Sequence, residues 1–245
     1  MHKKLKEIIT KTIQDLLEKK KENGRFKQAM LNPKERGAII AEIKLASPNE
    51  NHLGDKDDIE DRVKQYQQAE VDAISVVTEK YFFKGDLSYI QKIKDATSLP
   101  ILQKDFIIDE YQIYEAKIYQ VDAILLIAKI LSARSLTAFV NLAKKIGLEP
   151  VVEINNDDDF KKALATKTDI IAVNARDLDT FKVDIDKACS LIKKIPRKFI
   201  KLGFSGVKGR EDVDKYRNAG VDGVLIGTSL MKAKNISEYL EGIVI

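Results

Sequence analysis

Short apolar runs recur along this chain, and four of them follow an aspartate within a similar four-residue phrase. The aspartates come about every 50 residues, a period typical of repeated supersecondary units. Each run is short and rich in Val, Ile and Leu, which predicts a buried strand. The four phrases are Val71-Asp72-Ala73-Ile74, Val121-Asp122-Ala123-Ile124, Thr168-Asp169-Ile170-Ile171 and Val221-Asp222-Gly223-Val224.

A second series of apolar runs lies between these phrases, and helix-length segments separate all of the runs. Eight βα units of about 25 residues predict an α/β fold, a single (β/α)8 TIM barrel. Such a barrel carries its chemistry at the C-terminal ends of its strands. The predicted strands are Ala38–Ile43, Ala73–Val77, Ile101–Gln103, Ala123–Ile127, Pro150–Val152, Ile170–Val173, Phe199–Leu202 and Gly223–Ile226.

An amphipathic stripe precedes the first strand and predicts an extra N-terminal helix over residues 3–22. Its apolar positions follow helical spacing, and Gly24 is a plausible stop. We therefore expect residues 1–35 to form a helical extension packed on the barrel, and residues 36–245 to form the barrel itself. No linker-like tract divides the chain, so the two parts are expected to make one domain overall. The stripe consists of Leu5, Ile8, Ile9, Ile13, Leu16 and Leu17.

The composition limits the classes of protein to which this chain can belong, but it does not indicate a particular reaction. A hydrophobic content of 44% supports a buried core, and the only cysteine, Cys189, excludes a disulfide within the chain. The N-terminus lacks a secretory pattern and no apolar run is long enough to span a bilayer, so we expect a cytoplasmic protein without a membrane partner. A net charge of +4 permits a small anionic substrate and gives no reason to expect nucleic-acid binding.

Charged and amide side chains gather at the predicted C-terminal ends of the strands. Charges inside a barrel are costly unless they are paired or used, so a structural salt-bridge ring is the alternative to a catalytic site. His52 lies in a polar loop and no cluster has metal-ligand spacing, so proton transfer would fall to lysine and glutamate. The residues at this rim are Glu42, Lys44, Lys104, Glu153, Asn174 and Arg176.

Two further groups of residues suggest what this rim would bind. Ser205-Gly206 and Gly227-Thr228 end strands 7 and 8, where barrels of this kind often bind phosphate; tight turns are the alternative. Phe83 and Phe106 follow strands 2 and 3, and would enclose a planar ring unless they belong to the core.

The order of these residues resembles the indole-3-glycerol phosphate synthase family from about residue 36 to the C-terminus. Any one motif is weak, but their joint order over most of the chain is specific. The motifs are Ile40-Ala41-Glu42-Ile43-Lys44 with Ser47-Pro48, Thr78-Glu79-Lys80-Tyr81-Phe82-Phe83-Lys84-Gly85, Lys104-Asp105-Phe106-Ile107-Ile108-Asp109 with Gln112-Ile113, Val152-Glu153-Ile154, Asn174-Ala175-Arg176-Asp177-Leu178, Ser205-Gly206-Val207 and Gly227-Thr228-Ser229-Leu230-Met231.

The resemblance implies a decarboxylating and dehydrating ring closure in tryptophan biosynthesis. Its substrate is 1-(2-carboxyphenylamino)-1-deoxyribulose 5-phosphate, and its product indole-3-glycerol phosphate forms without cofactor or metal in a monomeric enzyme. The resemblance makes Lys104 the general acid and Glu153 the base or the stabiliser of a cationic intermediate. Lys44 would hold the substrate carboxylate, with Glu42 orienting it.

The remaining site residues implied by the resemblance bind substrate. Asn174 and Arg176 would position the carboxylate and the sugar hydroxyls. The ring would be enclosed by Phe83, Phe106 and Leu125, and the phosphate would be surrounded by Ser47, Ser205, Gly206, Gly227 and Thr228.

The sequence departs from the family pattern at several positions. Phe204 stands where the family usually has a glutamate, which is expected to remove a polar contact and place an apolar ring near the sugar. Leu45 and Gln103 stand where basic residues are frequent, Asn49 replaces a serine, and Lys84-Gly85-Asp86 replaces a Gly-Gly-Ser-like turn. Two alternatives therefore stay open: a related sugar-phosphate isomerase, and a diverged barrel that binds phosphate ligands without catalysis.

Overall fold

A computed structural model describes residues 24–33 and 37–243 and contains a closed barrel of eight parallel strands in sequential order. The strands are β1 (Ala38–Ile43), β2 (Ala73–Val77), β3 (Ile101–Lys104), β4 (Ala123–Ile127), β5 (Glu149–Ile154), β6 (Ile170–Asn174), β7 (Ile200–Phe204) and β8 (Gly223–Ile226). The predicted (β/α)8 architecture is confirmed.

Helices alternate with the strands and cover the barrel from outside, as parallel sheets require. Along the described chain they are α1 (Arg25–Leu31), α2 (Ile59–Gln68), α3 (Ser88–Ala96), α4 (Glu110–Ile118), α5 (Ala133–Lys145), α6 (Asp157–Leu164), α7 (Ile185–Ile192), α8 (Arg210–Ala219), α9 (Thr228–Lys232) and α10 (Ile236–Ile243). The apolar faces of these helices and the outward side chains of the strands form the larger of two hydrophobic clusters.

Three of the four recurring aspartates tie neighbouring strands together at the N-terminal end of the barrel, whereas the fourth, Asp169, is paired with Lys144 at 2.8 Å. The carboxylate of Asp72 accepts a hydrogen bond from the backbone N–H of Ile39 at 2.8 Å. Asp122 and Asp222 bind the start of the preceding strand in the same way, through Ile101 N–H at 2.9 Å and Lys201 N–H at 2.7 Å. This shared contact gives the repeated phrase a structural explanation, because each carboxylate satisfies an amide that begins a strand.

Helix α1 closes the N-terminal end of the barrel. Phe26 and Met30 are one helical turn apart, fully buried, and part of the cluster that fills the barrel interior. The carboxylate of Glu149 accepts hydrogen bonds from the first amides of α1, Phe26 N–H at 2.8 Å and Lys27 N–H at 2.9 Å. The helix is thus held at a fixed place opposite the C-terminal face. The amphipathic helix predicted over residues 3–22 lies outside the described residues, and the domain boundary at residue 35 stays a prediction.

Phe26→Ala is expected to destabilise the protein by about 3–5 kcal/mol, because it empties a packed site at the base of the barrel. Catalytic parameters at low temperature should stay close to wild type, since this end is remote from the strand C-termini. Leu31→Ala is the matched control: Leu31 lies in the same helix, is 48% exposed, and should cost at most about 0.5 kcal/mol. Urea unfolding of both variants measures the difference, and equal losses would contradict the role given to Phe26.

Candidate active site

The inward-facing side chains are apolar at the base of the barrel and polar at its C-terminal end. Residues two apart in a strand share a face, so Glu42 continues the inward series of Ala38 and Ile40. Glu153 follows Val151 in β5, and Lys104 follows Leu102 in β3, by the same alternation. The strands therefore place the predicted charged groups at the C-terminal end of the barrel. We call this end the mouth; it carries Glu42, Lys44, Lys104, Glu153, Asn174 and Arg176.

Glu42 lies between two of the predicted lysines. Its Oε1 is 2.6 Å from the Lys44 Nζ, and its Oε2 is 3.8 Å from the Lys104 Nζ. The carboxylate is almost completely buried, whereas the two lysine side chains are partly open to the mouth. One buried anion thus holds two ammonium groups side by side, with both accessible to a ligand.

The two glutamates of the mouth have pKa values shifted in opposite directions. Burial acts to raise the pKa of Glu42, but the Lys44 and Lys104 charges outweigh it and hold this pKa below the ordinary value. Burial raises the pKa of Glu153, and the negative charge of Glu42 adds to this effect despite the opposing charge of Lys104. Glu42 is therefore a permanent anion at neutral pH, and Glu153 is a carboxyl group able to exchange a proton.

An amide fixes the orientation of Glu153. Asn174 Nδ2 donates to Glu153 Oε1 at 3.1 Å, and Asn174 Oδ1 accepts from the backbone N–H of Arg176 at 2.9 Å. The second carboxyl oxygen, Oε2, is buried and has no hydrogen-bond partner among the described residues. That oxygen is the one available to a ligand proton.

Gly227 leaves room for the ion pair of Glu42 and Lys44. A Cβ atom at position 227 would collide with Glu42 Oε1 and lie 2.9 Å from Lys44 Nζ. Because Gly227 follows β8, which neighbours β1, the absence of a side chain there lets the pair stand in the mouth.

Gly227→Ala is expected to lower kcat/KM at least ten-fold, because the added methyl group must displace Glu42 from its two lysines. Gly209→Ala is the matched control: Gly209 lies at the same end of the barrel in extended backbone, and a Cβ there would meet no atom within 4 Å. Steady-state kinetics on both variants decide the point, and similar rates in the two would argue against this packing.

Phe83 and Phe106 form an aromatic wall beside Lys104. Their ring centroids are 6.5 Å apart and the rings are inclined at 43°. Glu79 holds the first of these loops, because its carboxylate accepts hydrogen bonds from three successive amides, those of Tyr81, Phe82 and Phe83. Glu79 is not among the site residues predicted from the sequence.

A side-chain network holds the second aromatic loop. Thr78 Oγ1 donates to Asp105 Oδ2 at 2.5 Å, and Gln103 Nε2 donates to Thr78 Oγ1 at 3.2 Å. Asp105 also accepts from the backbone N–H of Phe106 at 2.8 Å. The network connects the end of β2 to the segment that carries both Lys104 and Phe106.

The loops after β7 and β8 lie against each other. Ser229 Oγ donates to the Val207 carbonyl at 2.8 Å, which joins the start of α9 to the loop after β7. Ser205 and Gly206 both have left-handed backbone, with φ of 68° and 91°. In the described part of the chain neither of their N–H groups donates a hydrogen bond, so both are available to an anion.

The comparisons with known proteins agree with this geometry. The sequence profile of indole-3-glycerol phosphate synthase matches residues 2–243. The chain belongs to the indole-3-glycerol phosphate synthase family. It is 48% identical to the indole-3-glycerol phosphate synthase of Caldanaerobacter subterraneus subsp. tengcongensis over 209 residues, which cover 85% of this chain and 80% of that protein. The Aquifex aeolicus enzyme is 40% identical over 226 residues, covering 91% and 86% of the two chains.

This membership confirms the predicted family and, with it, the predicted carboxy-lyase class. Solved structures of lower similarity support the fold alone. A chain of the tryptophan synthase complex from Pyrococcus furiosus aligns with a TM-score of 0.64 at 17% identity, covering 85% of this chain and 98% of that one. A 3-hexulose-6-phosphate synthase aligns with a TM-score of 0.66 at 14% identity, covering 84% and 97%.

Three other predicted site residues, Leu125, Arg176 and Ser47, lie in different parts of the barrel. Leu125 is buried inside the barrel, one inward position below Ile127 in β4. Arg176 donates from Nη1 to the Phe181 carbonyl at 3.0 Å, and its charge acts on Glu42. Ser47 lies in a tight turn with Glu50, whose carboxylate is paired with Lys232 of α9.

Phe204, which stands where the family usually has a glutamate, lies inside the barrel. Phe204 is only 1% exposed and belongs to the inner cluster, where it continues the inward series of Ile200 and Leu202 in β7. Leu178 packs against the same cluster. The ring is thus part of the barrel core just below the mouth.

His52 is largely exposed, and its Nε2 is 3.9 Å from the Asp55 carboxylate. Among the described residues, no group of three or more His, Cys, Asp or Glu side chains is arranged to hold a metal ion. Within the same residues, no helix has the length and apolar character needed to cross a membrane.

Proposed function

We propose that this protein converts 1-(2-carboxyphenylamino)-1-deoxyribulose 5-phosphate to indole-3-glycerol phosphate in tryptophan biosynthesis, using the residues of the mouth described above. The observation that carries the proposal is the pairing of Lys44 and Lys104 on the single carboxylate of Glu42 in a member of the synthase family. The reaction needs a carboxylate anchor and a proton donor in proximity, and two adjacent ammonium groups supply both.

The ends of the substrate are bound by different loops. The aromatic ring lies against Phe83 and Phe106, above Leu125, and its carboxylate is held by Lys44 with help from Arg176 and Asn174. The phosphate is surrounded by Ser47, Ser205, Gly206, Gly227 and Thr228. Support comes from the amides of Ser205 and Gly206, which donate to no group in the described part of the chain, and from the hydrogen bond that joins their loop to α9.

Ring closure begins when the ring carbon that bears the carboxylate attacks the ketone carbon of the sugar chain. Lys104 gives its proton to the ketone oxygen as the carbon–carbon bond forms, so that a hydroxyl group rather than an alkoxide results. Holding the two carbons in contact lowers the barrier by as much as about 7–11 kcal/mol in favourable cases. The ammonium of Lys44 stays charged beside Glu42 and fixes the carboxylate.

Two losses complete the reaction. The carboxylate leaves as carbon dioxide, and its bonding electrons restore the aromatic ring. Lys104, re-protonated by solvent through its open side, gives a proton to the new hydroxyl, which leaves as water. The adjacent sugar carbon then loses a proton to Glu153 as the indole double bond forms. Glu153 is the base for this second stage, because its free Oε2 faces no competing donor and its raised pKa favours holding the proton.

The deciding experiment incubates the purified protein with the authentic substrate and follows indole fluorescence and released carbon dioxide together. The proposal expects the two products in equal amounts. An isomerase would change the sugar without releasing carbon dioxide, and a binding barrel would take up indole-3-glycerol phosphate without turnover. Either result would contradict the proposal.

We also propose that the protein acts as a cytoplasmic monomer without a cofactor and without a nucleic-acid partner. The family resemblance supports the monomer and the cofactor-free chemistry. The modest net charge of +4 and the buried thiol of Cys189 support the other two.

A further inference from the structure

We propose that Tyr216 is a positioning residue that sets the phosphate subsite through the peptide planes that follow β7. The single proton of its hydroxyl is shared between the Phe204 carbonyl at 3.0 Å and the Ser205 carbonyl at 2.8 Å, the shorter contact. Tyr216 lies in α8, on the outer layer of the barrel, and reaches these carbonyls from outside the strand. The inference rests on the proposed function, because it names a residue that shapes the anion site of that same substrate.

A hydrogen bond to a carbonyl on one side of a peptide fixes the direction of the N–H group on the other side. In a trans peptide the carbonyl of one residue and the N–H of the next point in opposite directions. The Phe204 carbonyl also accepts from the Ala175 N–H at 2.9 Å, so the neighbouring strand already holds that peptide. Among the described residues only Tyr216 donates to the Ser205 carbonyl, so Tyr216 orients this peptide and turns the Gly206 N–H away from α8. The Gly206 amide is one of the two at this loop that donate no hydrogen bond within the described residues.

The backbone here needs such a restraint. Ser205 has a φ of 68°, a left-handed conformation that is uncommon for a residue with a side chain and that persists only where the surroundings impose it. Tyr216 is fully buried, and burial raises the pKa of its hydroxyl far above the ordinary value. It therefore remains a donor at every working pH.

Gly203 makes the position of Tyr216 possible. A Cβ at Gly203 would lie 2.5 Å from Cδ1 and 2.6 Å from Cε1 of the tyrosine ring, although the backbone of Gly203 has no unusual φ. The glycine is thus required by the close approach of the ring. Gly203→Ala would push the ring away from the strand and weaken the same two hydrogen bonds.

The test compares Tyr216→Phe with the wild-type protein, using inorganic phosphate and anthranilate as separate competitive inhibitors. We expect the inhibition constant of phosphate and the KM of the substrate to rise about ten-fold, with kcat within about two-fold of wild type. Inhibition by anthranilate, which has no phosphate, should not change. Gly203→Ala should shift the phosphate constant in the same direction.

Tyr66→Phe is the matched control. Tyr66 is also fully buried, and its hydroxyl donates to the Glu42 carbonyl at 3.3 Å, so its loss removes a similar hydrogen bond from a different strand. We expect no change in phosphate inhibition. An unchanged phosphate constant in Tyr216→Phe, or an equal change in Tyr66→Phe, would overturn the inference.

The outcomes also separate this inference from the proposed function. If the wild-type protein turns the substrate over but phosphate does not inhibit it, the anion site lies elsewhere and the inference fails alone. If the wild-type protein shows no turnover, the proposed function fails, and phosphate titration by calorimetry on the wild-type and Tyr216→Phe proteins still decides the role of Tyr216.

Discussion

Lys104→Ala is expected to reduce kcat by about 10²–10⁴-fold, the range typical of a lost general acid. In the proposed mechanism the ammonium of Lys104 is the proton donor for the ketone oxygen. Lys44 is not expected to take over this task, because its Nζ is 2.6 Å from Glu42 Oε1 and is assigned to the substrate carboxylate. Single-turnover kinetics measure the loss directly at the bond-forming step.

The fold should survive this substitution, since Lys104 ends its strand and is partly open to solvent. Lys129→Ala is the matched control: it removes the same charge from the same end of the barrel, where Lys129 pairs with Asp179 in neighbouring loops. We expect near-normal kinetics in the control. Near-normal turnover in Lys104→Ala would refute the acid role.

Glu153→Gln should cause a loss of similar size, about 10²–10⁴-fold in kcat, while Asn174 keeps a side-chain oxygen to bond. A base must be ionised to act. Because burial raises the pKa of Glu153, the acid limb of kcat/KM in the wild-type enzyme should lie above the ordinary glutamate value of about 4.3. The residual activity of Glu153→Gln should lack that limb.

Glu42→Gln tests the direction in which Glu42 shifts the pKa of Glu153, through the same pH dependence of kcat/KM. The negative charge of Glu42 raises the pKa of Glu153, so its removal should move the acid limb of the residual activity to lower pH. Glu241→Gln serves as the control, because Glu241 is an exposed residue of the outer helix α10. An acid limb unchanged in both Glu153→Gln and Glu42→Gln would mean that another group titrates.

The alternation, or parity, of side chains along each strand predicted most of the candidate site. The face on which a residue lies depends only on its place in its own strand, which the sequence shows. Four of the six polar residues follow an apolar inward residue by two positions, so their face was readable before the structure was known. These four are Glu42, Lys104, Glu153 and Asn174. The same parity explains the boundary errors. The structure extends β5 to Ile154 and β6 to Asn174, past the predicted ends at Val152 and Val173, since Glu153 and Asn174 keep strand geometry in spite of their polarity.

Contacts between distant segments were beyond such reasoning. Tyr216 bonds to carbonyls eleven and twelve positions earlier. Asn155, from the segment after β5, likewise donates to the Asn174 carbonyl at 2.7 Å. The only sequence signal for such residues is a polar group at the end of an element, which many solvent-exposed residues share. The packing of Phe204 beside Leu178 likewise depends on tertiary contacts, and the prediction that its ring lies near the sugar stays a prediction.

The most direct test of the account is a crystal structure of the protein with indole-3-glycerol phosphate bound. We expect the indole ring beside Phe83 and Phe106, the Lys104 ammonium next to the ring-closure carbon, and the phosphate on the amides of Ser205 and Gly206. A product bound outside this mouth, or bound with its phosphate against the lysines and its ring at the loop after β7, would contradict the account.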